Sequence, residues 1–339
     1  METGRIAEEA KLHTLEASCA LMFDKLQLFG DMVVFMSYAM QVIMSFLMLA
    51  MIFMILPRAS VSATRINEVL EEKLSIKDGT FDKDTELKGT GEFKNVSFKY
   101  PNADEYILKN ISFKVNKGET IAFIGSTGSG KSTLVNLVLR FYDVTEGEIL
   151  VDGINVKEYK QEVLNNKIGY IPQKSVMFTG SVSENVSYGS NGKEKPNEET
   201  IKKAIEIAQG KDFVEAMDKK YDSHIARGGT NVSGGQKQRL SIARAIARNP
   251  EIFIFDDSFS ALDYKTDVSL RKNLKTHIKD ATNMIVAQRI GTIIHADKIV
   301  VLEKGECVGI GTHKELLKNC DSYKEIATSQ LSEEELNHA

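Results

Sequence analysis

The sequence predicts an α/β domain built on a mostly parallel sheet and preceded by one transmembrane α-helix. Three observations predict it. Residues 32–56 carry no charge. From Glu92 onward, short β-rich runs alternate with helical stretches, as a parallel sheet with crossover helices requires. One strand-to-helix junction, Gly125 to Thr133, reads GSTGSGKST, a glycine-rich phosphate-binding loop. The length of 339 residues suits about two ordinary domains. The composition is uneven, since nine of the 12 methionines lie in the first 54 residues. A net charge of −4 argues against nucleic acid as a partner held by bulk charge. The three cysteines form no CxxC pair, which excludes a disulfide scaffold and a zinc spacing and fits a reducing compartment.

Met32 to Leu56 is a run of 25 residues. As a helix it spans ~37 Å, against ~30 Å of hydrocarbon. It reads as a membrane span, with a buried core helix as the alternative. A signal peptide is disfavoured by the length, the late start and the preceding Asp31. Pro57 is expected to break or kink the helix. Arg58 and Arg65 favour a cytoplasmic location for the C-terminal side of the span. Met32, Met36, Met40, Met44 and Met48 form one slowly spiralling row, expected to pack on lipid or neighbouring helices. The expected divisions are a short amphipathic segment of unassigned role at 1–30, the span and its cytosolic helical extension at 31–75, a charged linker at 76–91, the α/β domain at 92–330 and a tail at 331–339.

Three motifs carry the chemistry. In Gly125-Ser126-Thr127-Gly128-Ser129-Gly130-Lys131-Ser132-Thr133 the glycines let backbone N–H groups close around phosphate oxygens, and the following helix adds its positive N-terminus. Lys131 is expected to reach the β and γ phosphates and Ser132 to ligate Mg²⁺. Residues 252–257, IFIFDD, read as an apolar strand ending in two acids, with Asp256 placed to hold Mg²⁺ through water. Ser233-Gly234-Gly235-Gln236 opens a helix of about fourteen residues and makes a second phosphate cradle. A single nucleotide in a single chain has no need of two.

These motifs, in this order, resemble the nucleotide-binding domain of ABC transporters over essentially all of 92–330. The resemblance implies a P-loop NTPase fold with an antiparallel β subdomain and a helical subdomain. It implies ATP and Mg²⁺ as cofactors, and Tyr100 as the aromatic that stacks on adenine. It implies Gln173 as the loop glutamine that touches Mg²⁺ and couples to the membrane domain, and Asp263 as the end of the D-loop Ser260–Asp263. In this family two domains close head to tail over two ATP molecules, so Ser233, Gly234, Gly235 and Gln236 would serve the partner's ATP.

Two positions depart from the family pattern. The residue after Asp256 is Asp257 where most members have glutamate, and its shorter side chain draws the carboxylate back by more than ~1 Å. Gln288 stands in the place of the switch-loop histidine and cannot carry a proton charge. Both fall in the site that uses this chain's own loop. The chain therefore resembles the degenerate-site half of a heterodimeric bacterial multidrug exporter, expected to bind ATP, hydrolyse it slowly and complete a competent site on a different half-transporter in the cell membrane. Its nucleotide-binding domain would face the cytoplasm. Exporters of this kind have six membrane helices per half, so the chain looks N-terminally shortened. A non-transporting remnant and a regulatory nucleotide-binding partner are the alternatives. The exported compound is not legible.

Overall fold

The computed structural model describes residues 2–189 and 194–331 and divides the chain into two compact units, 1–75 and 76–339. The expected tail lies outside the described residues except for Leu331.

The first unit is one helix, α1, over Glu2–Glu71. Of the expected break or kink at Pro57, the break does not occur, since α1 runs through it, and no break separates 1–30 from the span. A proline forfeits one backbone hydrogen bond and crowds the preceding turn, a local cost that the long helical runs on either side outweigh here. Within α1 the apolar side chains of 32–56 are exposed, Phe35 and Phe53 by about 70%. An apolar surface of that length needs lipid or other helices to cover it. It is the one helix among the described residues long and apolar enough to cross a membrane.

The second unit opens with residues 76–90, which are docked rather than free. Phe81 donates its backbone N–H to the Glu158 carbonyl (2.8 Å) and accepts from the Lys160 N–H (2.9 Å), and its ring meets Tyr159 edge-on. Thr85 is buried beside Asp152 and Lys167. Two of the charges that made 76–91 read as a linker meet partners far away in sequence, Asp82 on Lys160 and Asp78 on the Gln161 N–H.

Two antiparallel strands follow, β1 (Gly91–Phe98) and β2 (Leu108–Val115), and then β3 (Thr120–Gly125) runs into the glycine loop and helix α2 (Lys131–Val138). The chain returns to the first sheet as β4 (Glu146–Val151) and β5 (Ile154–Asn155), then forms α3 (Gln161–Lys167) and β6 (Ile168–Ile171). A mostly helical stretch comes next: β7 (Gly180–Ser181), α4 (Val182–Val186), α5 (Glu198–Ile207), α6 (Lys211–Glu215), β8 (His224–Ile225) and α7 (Gly234–Ala247). The chain then alternates through β9 (Ile252–Asp256), α8 (Tyr264–His277), β10 (Thr282–Val286), α9 (Ile290–Ile293) and β11 (Lys298–Glu303). It ends with β12 (Glu306–Gly311), α10 (His313–Asn319) and α11 (Asp321–Gln330).

The main sheet has the order β12-β11-β3-β10-β9-β6 and is parallel except for the β11–β12 pair. Its parallel strands are largely apolar on both faces, as strands covered on both sides require, while the edge strand β12 is half exposed. Ile121 and Phe123 of β3 pack in one core with α2 and the β1–β2 sheet, while Ala122 and Ile124 pack in a second core with α7, α8 and α11. The same alternation splits Ile252 and Ile254 from Phe253 and Phe255. The carboxyl ends of β3, β10, β9 and β6 lie side by side. In a sheet of this kind ligands bind outside that edge.

Candidate nucleotide site

The glycine loop leaves β3 at a point where only glycine fits, because a Cβ on Gly125 would meet the carbonyl oxygen of Leu302 in β11. Gly130 takes a left-handed φ of 96° as the N-cap of α2, which turns the chain from loop to helix. A Cβ on Gly128 would meet nothing within 4 Å, so the loop's crest is open. Lys131 folds back over the loop, its Nζ donating to the carbonyls of Gly125 (2.9 Å) and Ser126 (2.8 Å) and contacting Ser129 Oγ at 3.4 Å. Burial lowers its pKa, against the charges of Asp257 and Asp256. Thr127 is exposed, and Thr133 Oγ1 shares a hydrogen bond of 3.0 Å with the Tyr100 hydroxyl. Tyr100 stands edge-on to Phe98 and Tyr142, so its ring is part of an aromatic wall next to the loop helix.

Asp256 ends β9 beside this loop. Ser132 donates its hydroxyl to Asp256 Oδ1 at 2.8 Å, and Tyr170 of β6 approaches Oδ2 at 3.4 Å. Burial raises the Asp256 pKa, partly offset by the Ser132 and Tyr170 hydrogen bonds and by Lys131. No group of three or more His, Cys, Asp or Glu side chains that could hold a metal occurs among the described residues. The hydroxyl and carboxylate of Ser132 and Asp256 fit the sparse protein ligation typical of Mg²⁺ bound together with phosphates.

Asp257 follows with a φ of 47°, and its N–H donates to the Val286 carbonyl of β10. Its carboxylate gathers two glutamines. Gln288 Nε2 donates to Oδ2 at 2.7 Å and Gln173 Nε2 donates to the same oxygen at 3.0 Å. Burial raises the Asp257 pKa. The Gln173 bond lowers it, the Asp256 charge raises it, and Gln288 and Lys131 lower it. Lys131, Ser132, Gln173, Asp256, Asp257 and Gln288 thus form one constellation at the carboxyl ends of four parallel strands.

The other expected residues lie apart from it in bonding. Ser233 and Gln236 form a reciprocal cap on α7: the Ser233 N–H donates to Gln236 Oε1 (2.9 Å), and Ser233 Oγ accepts from the Gln236 N–H (3.3 Å). A Cβ on Gly234 would meet nothing within 4 Å, whereas one on Gly235 would press on the Ala261 carbonyl at 3.3 Å. No hydrogen bond joins Ser233 or Gln236 to the glycine loop among the described residues. Asp263 caps α8, accepting from the Thr266 N–H (3.0 Å) and hydroxyl (2.7 Å), and those bonds hold its pKa down. Sequence reasoning missed Tyr170. The signal available was its place in the strand ahead of Gln173, three residues earlier in the chain.

Residues 108–260 match the family described as ABC transporter. The chain carries an ABC transporter ATP-binding domain. It is 43% identical over 304 residues to an uncharacterized ABC transporter ATP-binding protein of Mycobacterium tuberculosis, covering 89% of this chain and 52% of the relative. It is 41% identical over 264 residues to a Staphylococcus aureus protein named "Putative multidrug export ATP-binding/permease protein", covering 78% and 45%. The structure superposes on that of a bacterial Atm1-family ABC exporter with ATP bound, with a TM-score of 0.77 and 31% identity over 84% of this chain and 50% of the other. The chain spans about half the length of the curated relatives it matches.

Proposed function

We propose that this chain acts as the ATP-binding part of an ABC exporter half, with α1 in the cell membrane and the ATP-binding domain on its cytoplasmic side. Mg-ATP binds along 125–133. Gly125–Gly130 N–H groups and Lys131 hold the phosphates, Ser132 and Asp256 hold Mg²⁺, with Gln173 beside them, and the Tyr100 ring stacks on the base. When bound, Mg²⁺ supplies charge neutralisation at the phosphates. The chain pairs with a second half-transporter, a different chain rather than a copy, and lends it Ser233, Gly234, Gly235 and Gln236, with Asp263 on the adjoining loop.

Turnover at the chain's own site is slow. The observation that carries this reading is the pair of glutamine amides on one oxygen of Asp257. A general base must reach the water it deprotonates, and it works best with a lone pair free and a raised pKa. Burial supplies the raised pKa, but Gln173 and Gln288 oppose it and hold the short carboxylate back. The export substrate class is drug-like molecules, in keeping with the Staphylococcus aureus relative named for multidrug export.

The test is Mg-ATP binding and steady-state hydrolysis on the same purified full chain. Tight binding with little turnover supports the reading. Robust turnover, about 1 s⁻¹ or more, abolished by Lys131→Ala, would overturn the slow-site assignment and leave a self-sufficient homodimer.

A further inference from the structure

Gln330, the last residue of α11, grips the switch loop from both sides. Its Nε2 donates to the carbonyl oxygen of Gln288 at 2.9 Å, and its Oε1 accepts from the N–H of Ile290 at 2.9 Å. Its helix is firmly seated. Tyr323 and Ala327 are fully buried, and the Tyr323 hydroxyl meets His313 Nδ1 at 2.7 Å. Further along the same loop, Arg271 of α8 donates to the carbonyls of Gly291 (2.8 Å) and Thr292 (3.4 Å). The backbone from 288 to 292 is therefore clamped by two side chains from two different helices.

We propose that Gln330 is a positioning residue of the ATP site, fixing the switch-loop backbone in the place from which Gln288 reaches Asp257. The proposal rests on the nucleotide-site reading above. With the 288 carbonyl and the 290 N–H both pinned, the Gln288 amide is left only its own side-chain rotations. With both free, the loop's own dihedrals open as well. A hydrogen bond of 2.7 Å does not survive a shift of an ångström, so a loosened loop releases one of the two amides that hold the Asp257 carboxylate back. The C-terminal helix thereby becomes part of the site's frame, so whatever moves α11 moves Gln288.

A plainer role is that Gln330 merely satisfies an orphan N–H in the first turn of α9. Gln330→Glu separates the two. It keeps an oxygen for the Ile290 N–H but sets a second acceptor against the Gln288 carbonyl. A cap survives that change, and a two-sided clamp does not.

The experiment uses the full chain as wild type, Gln330→Glu, Gln330→Ala, Gln288→Ala and the Gln330→Ala/Gln288→Ala double variant. Mg-ATP affinity, single-turnover hydrolysis of labelled ATP and amide hydrogen exchange at Ile290 are measured on each. Affinity stays within about twofold of wild type in Gln330→Glu and Gln330→Ala. The single-turnover rate rises about fivefold or more in both Gln330 variants, the size of one hydrogen bond released from Asp257. The Ile290 amide loses protection in Gln330→Ala. Gln330→Ala adds nothing to Gln288→Ala, because it acts through that side chain. A wild-type or lower rate in Gln330→Glu, or a full additional rise in the double variant, would overturn the proposal. Failure of the wild-type chain to bind Mg-ATP at all would instead overturn the underlying site reading, and this proposal with it.

Discussion

Lys131→Ala removes the one cation that the glycine loop folds around. In the structure its Nζ serves the Gly125 and Ser126 carbonyls and touches Ser129, holding a buried charge that Asp256 and Asp257 help to compensate. When phosphates enter, the same ammonium is free to trade those carbonyls for phosphate oxygens. Charge-assisted hydrogen bonds are each worth about 1.5–3 kcal/mol. Two of them, less the loop contacts surrendered, leave about 3 kcal/mol of net binding, or roughly 100-fold in Kd. The assay is thermal unfolding with and without Mg-ATP. At 100 times the wild-type Kd, ligand binding stabilises the wild-type fold by about 2.7 kcal/mol. For a unit of this size that is roughly 5–10 °C in Tm. The variant at the same nucleotide concentration gains about 0.4 kcal/mol, roughly 1 °C. A variant that still shifts by several degrees would refute the placement of the phosphates on this loop.

Two further predictions concern the fold. Lys167 bridges Asp152 Oδ2 (2.7 Å) and Glu251 Oε2 (3.1 Å), and the Asp152 side chain is fully buried. Lys167→Ala leaves that carboxylate unpaired and costs about 3–5 kcal/mol by denaturant titration, whereas a loss under 1 kcal/mol would show that water compensates the site. Burial alone would raise the Glu119 pKa, but hydrogen bonds from Asn116 and Lys298 bring it down to about 2. A depressed carboxylate stabilises the fold above its unfolded pKa, and that contribution is lost as pH falls from about 4.5 toward 2. With screening by solvent allowed for, it is worth about 1–2 kcal/mol. Glu119→Gln flattens the acid limb in that window, and an unchanged limb would contradict the assignment.

The two glycine-rich loops were legible because their chemistry is local. Gly125 to Thr133 must close within nine residues, and Ser233 to Gln236 caps its own helix. The alternating strands were legible because a sheet buried on both faces has to be apolar throughout, as in IFIFD. What escaped is what depends on partners distant in sequence. Asp82 and Thr85 look like linker polarity until Lys160, Asp152 and Lys167 are seen beside them. Pro57 looks like a break because propensity weighs the single residue and not the long helix on either side. Gln330 resembles any exposed glutamine near a chain end, and its partners lie 40 and 42 residues earlier. The departures at Asp257 and Gln288 could be read from the sequence, but not that both glutamine amides converge on one oxygen.

The most direct test restores the two altered positions together. Asp257→Glu/Gln288→His lengthens the carboxylate and replaces the amide donor with a group that can carry a proton. Steady-state hydrolysis by the purified full chain is compared with wild type at saturating Mg-ATP, with nucleotide affinity measured in parallel. Tight binding is expected in both, with slow turnover in the wild type and a rise of about 10- to 100-fold in the variant. Equal turnover in the two, with the wild type already near 1 s⁻¹, would contradict this and make Asp257 a competent base as it stands.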